Sequence, residues 1–505
     1  MKLNNKPNLP FLDVIYDSLK YLKLDTRSLA FFRIILGLSI IYNIIVVKWN
    51  FTAVLLGSSP VMPLEEIHAI ANSPAFSIFD FISSDTFVRL YLILYLITAI
   101  AFTVGYQTRI SAVLSVFFQF NLFQAVSPFT LGFDMINFQL SFWAMFLPLN
   151  NFFSVDKMLN REKMKYQEAS LSVCIALLFQ VGCIYFFTGI FKYDDSWQEG
   201  YAVRNMLLDD THTYGLATFF KNNLLIYQFL TFSTLLMEYL LIFLIFIPYK
   251  NNWMRLSASV LLFLFHFSIL LSYDAGNFSI TGIAIAVLLI PENVWNKWMI
   301  SVKEFNSQDT FLIKNLRIKK LIAAFCVFVI FVIAERNVYN YYYYKKDYIV
   351  VNRLKYFHIP EPAVASFFSQ YWRMFAPKPQ EDIGWLEICN STAAENNTSF
   401  DCNIIFSTKK EKKMADWETF LVGVSRSKLK RGQDQQDNAY FIFFSYWLKW
   451  KLNTIENKEL TNYSPYFLIE ERKLCGDQST PYEPKVVQYY YAVNDLIARK
   501  IYQLN

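Results

Sequence analysis

The sequence predicts an all-α polytopic membrane domain of about nine transmembrane helices, followed by an extracytoplasmic α+β domain. Three observations predict this. Of 505 residues, 54% are hydrophobic and 17% charged, less charge than ordinary soluble domains carry. Apolar runs near the ~20 residues needed to cross a bilayer recur along the first two-thirds of the chain. Lysine and arginine gather in alternate loops between those runs, the bias that marks the cytoplasmic side of a membrane protein.

Residues 1–28 form a polar, basic lead with Phe11, Val14, Ile15, Leu19, Tyr21 and Leu22 interspersed. This reads as a cytoplasmic N-terminal segment, either a helix lying on the inner leaflet or a short lead-in. It lacks an apolar core with a small-residue cleavage site, so no removable signal peptide is expected. Residues 29–338 hold the expected spans, at 29–49, 87–105, 110–127, 135–150, 171–192, 224–248, 256–273, 278–295 and 320–337. Such lengths suit tilted helices in a hydrocarbon core about 30 Å thick.

One set of loops carries Lys2, Lys6, Lys20, Lys23 and Arg27, then Arg109, Lys157, Arg161, Lys163 and Lys165, then Lys250 and Arg255, then Lys297 to Lys320. The other set carries little beyond Arg204 and Lys221. The first set is therefore expected to be cytoplasmic, with a cytoplasmic N-terminus in the cell membrane (inner or plasma). An odd number of spans then puts the C-terminal domain outside. The outer loop from Asn50 to Thr86, with Pro60, Pro63, Pro74 and His68, is apolar enough to lie on the membrane and partly cover a site there.

Residues 339–505 open with Asn340-Tyr-Tyr-Tyr-Tyr-Lys-Lys346, an interfacial run. Beyond it the chain is mixed and polar, and is expected to form the extracytoplasmic α+β domain, with strands near Trp385–Ile388 and Phe467–Glu470. Cys174, Cys183 and Cys326 fall in spans. Cys389 and Cys402 bracket an expected outer hairpin where a disulfide is plausible, and Cys475 is left over.

Chemistry is concentrated at the end of the fifth expected span. Tyr185-Phe-Phe-Thr-Gly-Ile-Phe-Lys192-Tyr-Asp194-Asp195-Ser-Trp197-Gln-Glu-Gly200 closes an apolar run and opens a polar one. An amine there loses hydration, which penalises its charged form, and an amine that is neutral part of the time acts as a base. The same residues also fit a snorkelling lysine and an aromatic-belt tryptophan. Asp194 is placed to be the partner of Lys192 at rest. Arg33, in the first span, is costly at that depth and is expected to make a structural ion pair or a headgroup contact. Glu238 and His266 stand within spans, where an ionisable residue is a functional hypothesis by default. A protonated, bonded glutamic acid and a packed histidine are the plain alternatives.

The stretch from Tyr185 to Gly200 resembles the vitamin K-dependent gamma-carboxylase family and the wider HTTM family of bacterial membrane proteins. Those families carry Tyr-Phe-x-x-Gly-x-x-Lys-x-Asp-x-x-Trp-x-x-Gly, which this chain matches without a gap. Further matching pieces are Gly105–Arg109, Phe138-Gln-Leu140, Phe153-Ser-Val-Asp156, and Phe265-His266 followed by Gly276-Asn-Phe-Ser279. Gln370–Pro377 with Gly384-Trp385 resembles a segment of the bacterial HTTM proteins. The resemblance implies that Lys192 deprotonates a reduced naphthoquinone, reduced vitamin K or menaquinol. His266 would orient a quinone oxygen or support Lys192, with Asp194, Trp197, Glu238, Asp134 and Arg33 in substrate-binding or supporting places. In the carboxylases the quinol reacts with O2 to an epoxide and drives addition of CO2 to glutamate. There, a histidine thought to help carboxylation lies before Phe-Gln-Leu. Here that place is near Phe129, and Gly132 and Asp134 follow, as in bacterial relatives.

Two readings follow. The first is a quinol oxidase of epoxidase or carboxylase type. The second is a non-catalytic membrane scaffold for maturation or export of a secreted peptide or protein client. Nucleotide loops, metal clusters and serine triads are absent from the sequence pattern, and no nucleic acid partner is expected. Partners are the lipid bilayer, the quinone and that client.

Overall fold

A computed structural model describes residues 18–71, 76–126, 129–130, 132–159, 167–208, 212–298, 316–345, 348–354, 376, 382–391, 402–407, 439–457, 466–474 and 485–492. The principal helices are α1 (Thr26–Tyr42), α2 (Asp85–Val104), α3 (Thr108–Ala125), α4 (Gly132–Ala144), α5 (Leu171–Ile190), α6 (Leu224–Phe246), α7 (Asn251–Ser272), α8 (Phe278–Leu288), α9 (Leu316–Tyr344) and α10 (Ala439–Ile455). Helix α1 runs on through a π-helical turn, Asn43–Lys48, into Trp49–Leu56.

Among the described residues, five helical stretches are long and apolar enough to cross a membrane: Lys20–Leu56, α2, α5, α6 and α7. A sixth counts if α8 and Glu292–Trp298, bent by 86°, form one broken span. The protein is thus a multi-pass membrane protein, and among the described residues five or six of the nine expected spans meet that measure. Three of the expected spans fall on short or polar helices. Helix α4 is only 13 residues long and buries Asp134, Asn137, Gln139 and Ser141. Helix α3 carries Gln119 and Asn121, and α8 has only 11 residues.

Those polar residues bond across helices. Asn137 Oδ1 accepts from Ser39 and Thr281 (3.1 and 2.9 Å). Gln119 donates to the Ser141 hydroxyl at 2.9 Å, and Gln180 donates to Gln139. Interhelical hydrogen bonds of this kind hold helices together where lipid supplies no hydrophobic drive. The remaining packing is apolar: α7 lies on α8, α5 on α6, and α1 on α2 and α8. Leu177, Leu241, Leu262 and Ile285 are fully buried between them.

Helix α2 ends at Gly105, whose φ of 72° and lack of a Cβ are both required. A Cβ there would stand 2.7 Å from the Arg33 guanidinium and 2.6 Å from Ser154. The turn is tied down by Asp156, which accepts from the Gln107 and Thr108 amides (2.7 and 2.9 Å) and the Thr108 hydroxyl (2.7 Å).

In the C-terminal part, β1 (Asp382–Ser391), β2 (Cys402–Ser407), β3 (Tyr466–Leu474) and β4 (Lys485–Ala492) form an antiparallel sheet in the order β2-β1-β3-β4. Trp385–Ile388 and Phe467–Glu470 lie within β1 and β3. Cys389 stands opposite Ile404 and Cys402 opposite Ser391. The expected bridge between them falls on side chains outside the described set, as does Cys475. Gln370–Phe375 also lies outside the described residues. Helix α10 buries Phe443, Phe444, Trp447 and Leu448, and the Phe443 ring lies 4.7 Å from that of Phe129.

Candidate functional site

Helix α5 and the turn after it place the key residues. Lys192 follows the last turn of α5, its amide bonded to the Gly189 carbonyl at 3.1 Å. Its side chain is only 3% exposed and donates to Glu238 of α6. The ammonium also lies 4.5 Å from the centre of the buried Trp197 ring. A cation against an indole face, removed from water, is held both electrostatically and by packing. The tryptophan is therefore no belt residue turned to the headgroups, and the lysine does not snorkel.

Gly189 lets α6 approach. A Cβ on it would meet the Glu238 Cβ at 3.2 Å, and the Tyr239 hydroxyl donates to the Gly189 carbonyl at 3.0 Å. Glu238 Oε1 receives Lys192, while Oε2 is buried with no hydrogen-bond partner. Asp194 is not the partner of Lys192. Its carboxylate caps the short helix Asp195–Gln198 by accepting from the Ser196 amide at 3.1 Å. A capping aspartate satisfies an N-terminal N–H, and this aims Trp197 back at the lysine.

His266 is fully buried on α7 and shares a 2.8 Å hydrogen bond between Nε2 and the Tyr185 hydroxyl. Its Nδ1 has no partner. The ring is wedged between Phe265 and Phe278, with centroids at 5.0 and 4.7 Å, and over Gly282 of α8. A Cβ on Gly282 would fall 2.1 Å from the imidazole. Tyr185 lies in α5 and Lys192 two residues past its end, so the end of α5 carries two polar pairs in succession, Tyr185–His266 and Lys192–Glu238.

Two expected site residues lie elsewhere. Arg33 is fully buried and donates to main-chain carbonyls of Leu149 (2.6 Å), Thr103 (3.3 Å) and Phe153. The expected ion pair or headgroup contact is replaced by backbone carbonyls, because the irregular segment 149–153 offers acceptors that no helix satisfies. Asp134 joins Lys48, which donates to Oδ2 at 2.6 Å, and Asn43, which donates to Oδ1 at 2.7 Å. Beside this cluster is a small cavity of about 30 Å³, lined among others by Tyr95, Gln119, Phe123 and Phe138.

Lys48 and Asn43 escaped sequence reasoning. Five residues apart on an α-helix, they would point about 140° away from each other. The π-helical turn widens the spiral and lets both reach one carboxylate. Tyr185 belonged to the recognised stretch, but its partner in α7 was not legible.

Compared with protein families, the chain matches the HTTM domain over residues 21–295, a little over half its length. The chain belongs to the HTTM family. This is the domain also found in vitamin K-dependent gamma-carboxylase. The HTTM match contains Lys192, Glu238, Tyr185, His266, Lys48 and Asp134. No curated protein and no solved structure is matched by the chain.

Proposed function

We propose that this HTTM protein oxidises a reduced naphthoquinone with O2, using Lys192 as the base. The observation that carries the reading is a lysine withdrawn from water and held by a single glutamate oxygen and an indole face. A proton acceptor works best when its charged form is not over-stabilised. Desolvation opposes the charged lysine and Glu238 favours it, so passing the Lys192 proton to Glu238 within the pair would leave a neutral amine able to accept the proton of a quinol hydroxyl.

The site also leaves polar capacity for such a ligand. Glu238 Oε2 and His266 Nδ1 are both buried and unpartnered. Lys192 would take the phenolic proton, His266 would orient a quinone oxygen, and Tyr185 would fix the imidazole through Nε2. Trp197 would exclude water and offer a ring face. The overall change converts one quinol and one O2 to one epoxide and one water. Phe129, where the carboxylases place a histidine, packs against Phe443 and offers no titratable group. This favours epoxidation without glutamate carboxylation, so CO2 is not needed in the proposed reaction. By charge bias the basic loops are cytoplasmic and Lys192 faces the outer leaflet.

The test is incubation of the purified protein with reduced vitamin K and O2, with mass spectrometry of the products. Epoxide formation is expected in the parent and is expected to be lost in Lys192→Ala. Undiminished epoxide in that variant would refute the assignment. A parent protein that forms no epoxide but retains a secreted peptide, also in Lys192→Ala and His266→Ala, would favour the scaffold reading.

A further inference from the structure

The basic loops meet at one end of the bundle. There, the Tyr21 hydroxyl donates to the Phe246 carbonyl at 2.8 Å, Lys23 pairs with Glu168 at 2.6 Å, and the Ser28 hydroxyl donates to the Ile290 carbonyl at 2.6 Å. A cavity of about 320 Å³ opens at this end, lined by Tyr21, Lys250, Asn251, Asn252, Trp253 and Asn293. That volume lies within the range of small-ligand sites, roughly 300–1,000 Å³. It is remote from Lys192, which follows the end of α5, whereas Glu168 stands just before α5 begins.

Two features of its chemistry are complementary. The 22-residue helix α7 starts here, with Lys250 preceding it in a left-handed conformation (φ 46°). Trp253 and Met254 amides bond back to the Lys250 carbonyl, leaving the amides of Asn251 and Asn252 as first-turn donors, and the Lys250 ammonium lies 5.3 Å from the centre of the Tyr249 ring. A helix N-terminus with a lysine favours an anion, phosphate above all. The second feature is the opposite kind of group. Asn251 is 6% exposed, and its Nδ2 is committed to the Ile245 and Ile247 carbonyls at 3.1 and 2.8 Å. That fixes its Oδ1, which is buried without a donor. Asn293 also lines the cavity, and its Oδ1 is buried without a donor. An isolated phosphate has nothing to give these oxygens. A ligand that suits both halves carries a phosphate and, a few bonds away, hydroxyl or ammonium donors.

We infer that this cavity binds the headgroup of a phospholipid bearing hydrogen-bond donors, of the phosphatidylglycerol kind. Lys250 and the α7 N-terminus hold the phosphate, and Asn251 and Asn293 accept from the headgroup. Trp253, 59% exposed, sits where interfacial tryptophans sit, and Phe243 and Ile247 are exposed alongside for the acyl chains. Basic clefts between helices on the lysine-rich side of membrane proteins are suited to such lipids.

Native mass spectrometry of the full chain in detergent tests this, titrating phosphatidylglycerol, phosphatidylcholine with identical chains, and inorganic phosphate. One phosphatidylglycerol is expected to stay bound in preference to phosphatidylcholine, which has no headgroup donor. Lys250→Gly keeps the left-handed backbone and removes the charge, and is expected to weaken that binding about fivefold. Asn293→Leu is expected to reduce the preference for phosphatidylglycerol over phosphatidylcholine. Equal retention of the two lipids, no response to Lys250→Gly, or displacement of the lipid by inorganic phosphate at equal concentration would each overturn the inference.

Discussion

Replacing Lys192 and Glu238 singly and together separates a reactive pair from an ordinary buried contact. Both side chains are 3% exposed. Lys192→Met would leave the Glu238 carboxylate buried with neither oxygen served, since Oε2 already lacks a partner. Removing one member of a buried ion pair costs about 3–5 kcal/mol. Glu238→Met strands the ammonium against Trp197, which recovers part of that loss through the cation–π contact, of order 1–2 kcal/mol. The double variant Lys192→Met with Glu238→Met removes both charges and keeps the volume. It should lie near the parent or above it, as buried pairs replaced by apolar residues do. The coupling between the two sites is then at least about 3 kcal/mol, far beyond what independent sites show. Thermal unfolding of the four proteins in one detergent, followed by tryptophan fluorescence, measures it. Additive single effects, or single variants within about 0.5 kcal/mol of the parent, would refute the paired arrangement. The double variant should also form no epoxide despite its stability, which separates loss of chemistry from loss of fold.

Two further outcomes follow from close packing and buried charge. Gly282→Ala would drive a methyl to 2.1 Å from the His266 ring. Overpacking of this kind costs about 1–3 kcal/mol, visible as a lower thermal midpoint, and His266→Ala in the same chain should relieve it. Asp134→Asn leaves the Lys48 ammonium buried without its anion, and a loss of about 3 kcal/mol or more in the same unfolding measurement is expected.

Much of the membrane domain was legible because apolar run length and charge bias are local signals. The Lys192 stretch was legible as a motif, and Glu238 and His266 as ionisable residues at membrane depth. What they touch was not. Glu238 is 46 residues from Lys192 in sequence, and the nearby Asp194 was the natural candidate partner until its capping bond to Ser196 became visible. Arg33 and Asp156 looked like separate matches. They turn out to work on one turn, Arg33 packing against Gly105 and Asp156 binding the Gln107 and Thr108 amides. Lys48 was missed because helical periodicity assumes 3.6 residues per turn, and the π-helical turn breaks that assumption where it matters. The span boundaries were less legible, because hydropathy alone does not see that α4 and α8 are helices of only 13 and 11 residues.

Among the described residues two lysine–carboxylate pairs are buried, and their hydrogen-bond saturation distinguishes them. Asp134 receives Lys48 on one oxygen and Asn43 on the other. Lys48 is thereby locked to a carboxylate that is itself held in place, and the adjoining cavity of about 30 Å³ has room for a water or two rather than a quinone. Glu238 has one oxygen served and one empty, so it is able to exchange Lys192 for another donor without stranding a second bond. An indole face stands against the lysine it holds. A base must be able to leave its resting partner when substrate arrives. Of the two lysines, Lys192 is the one whose partner is free to let go.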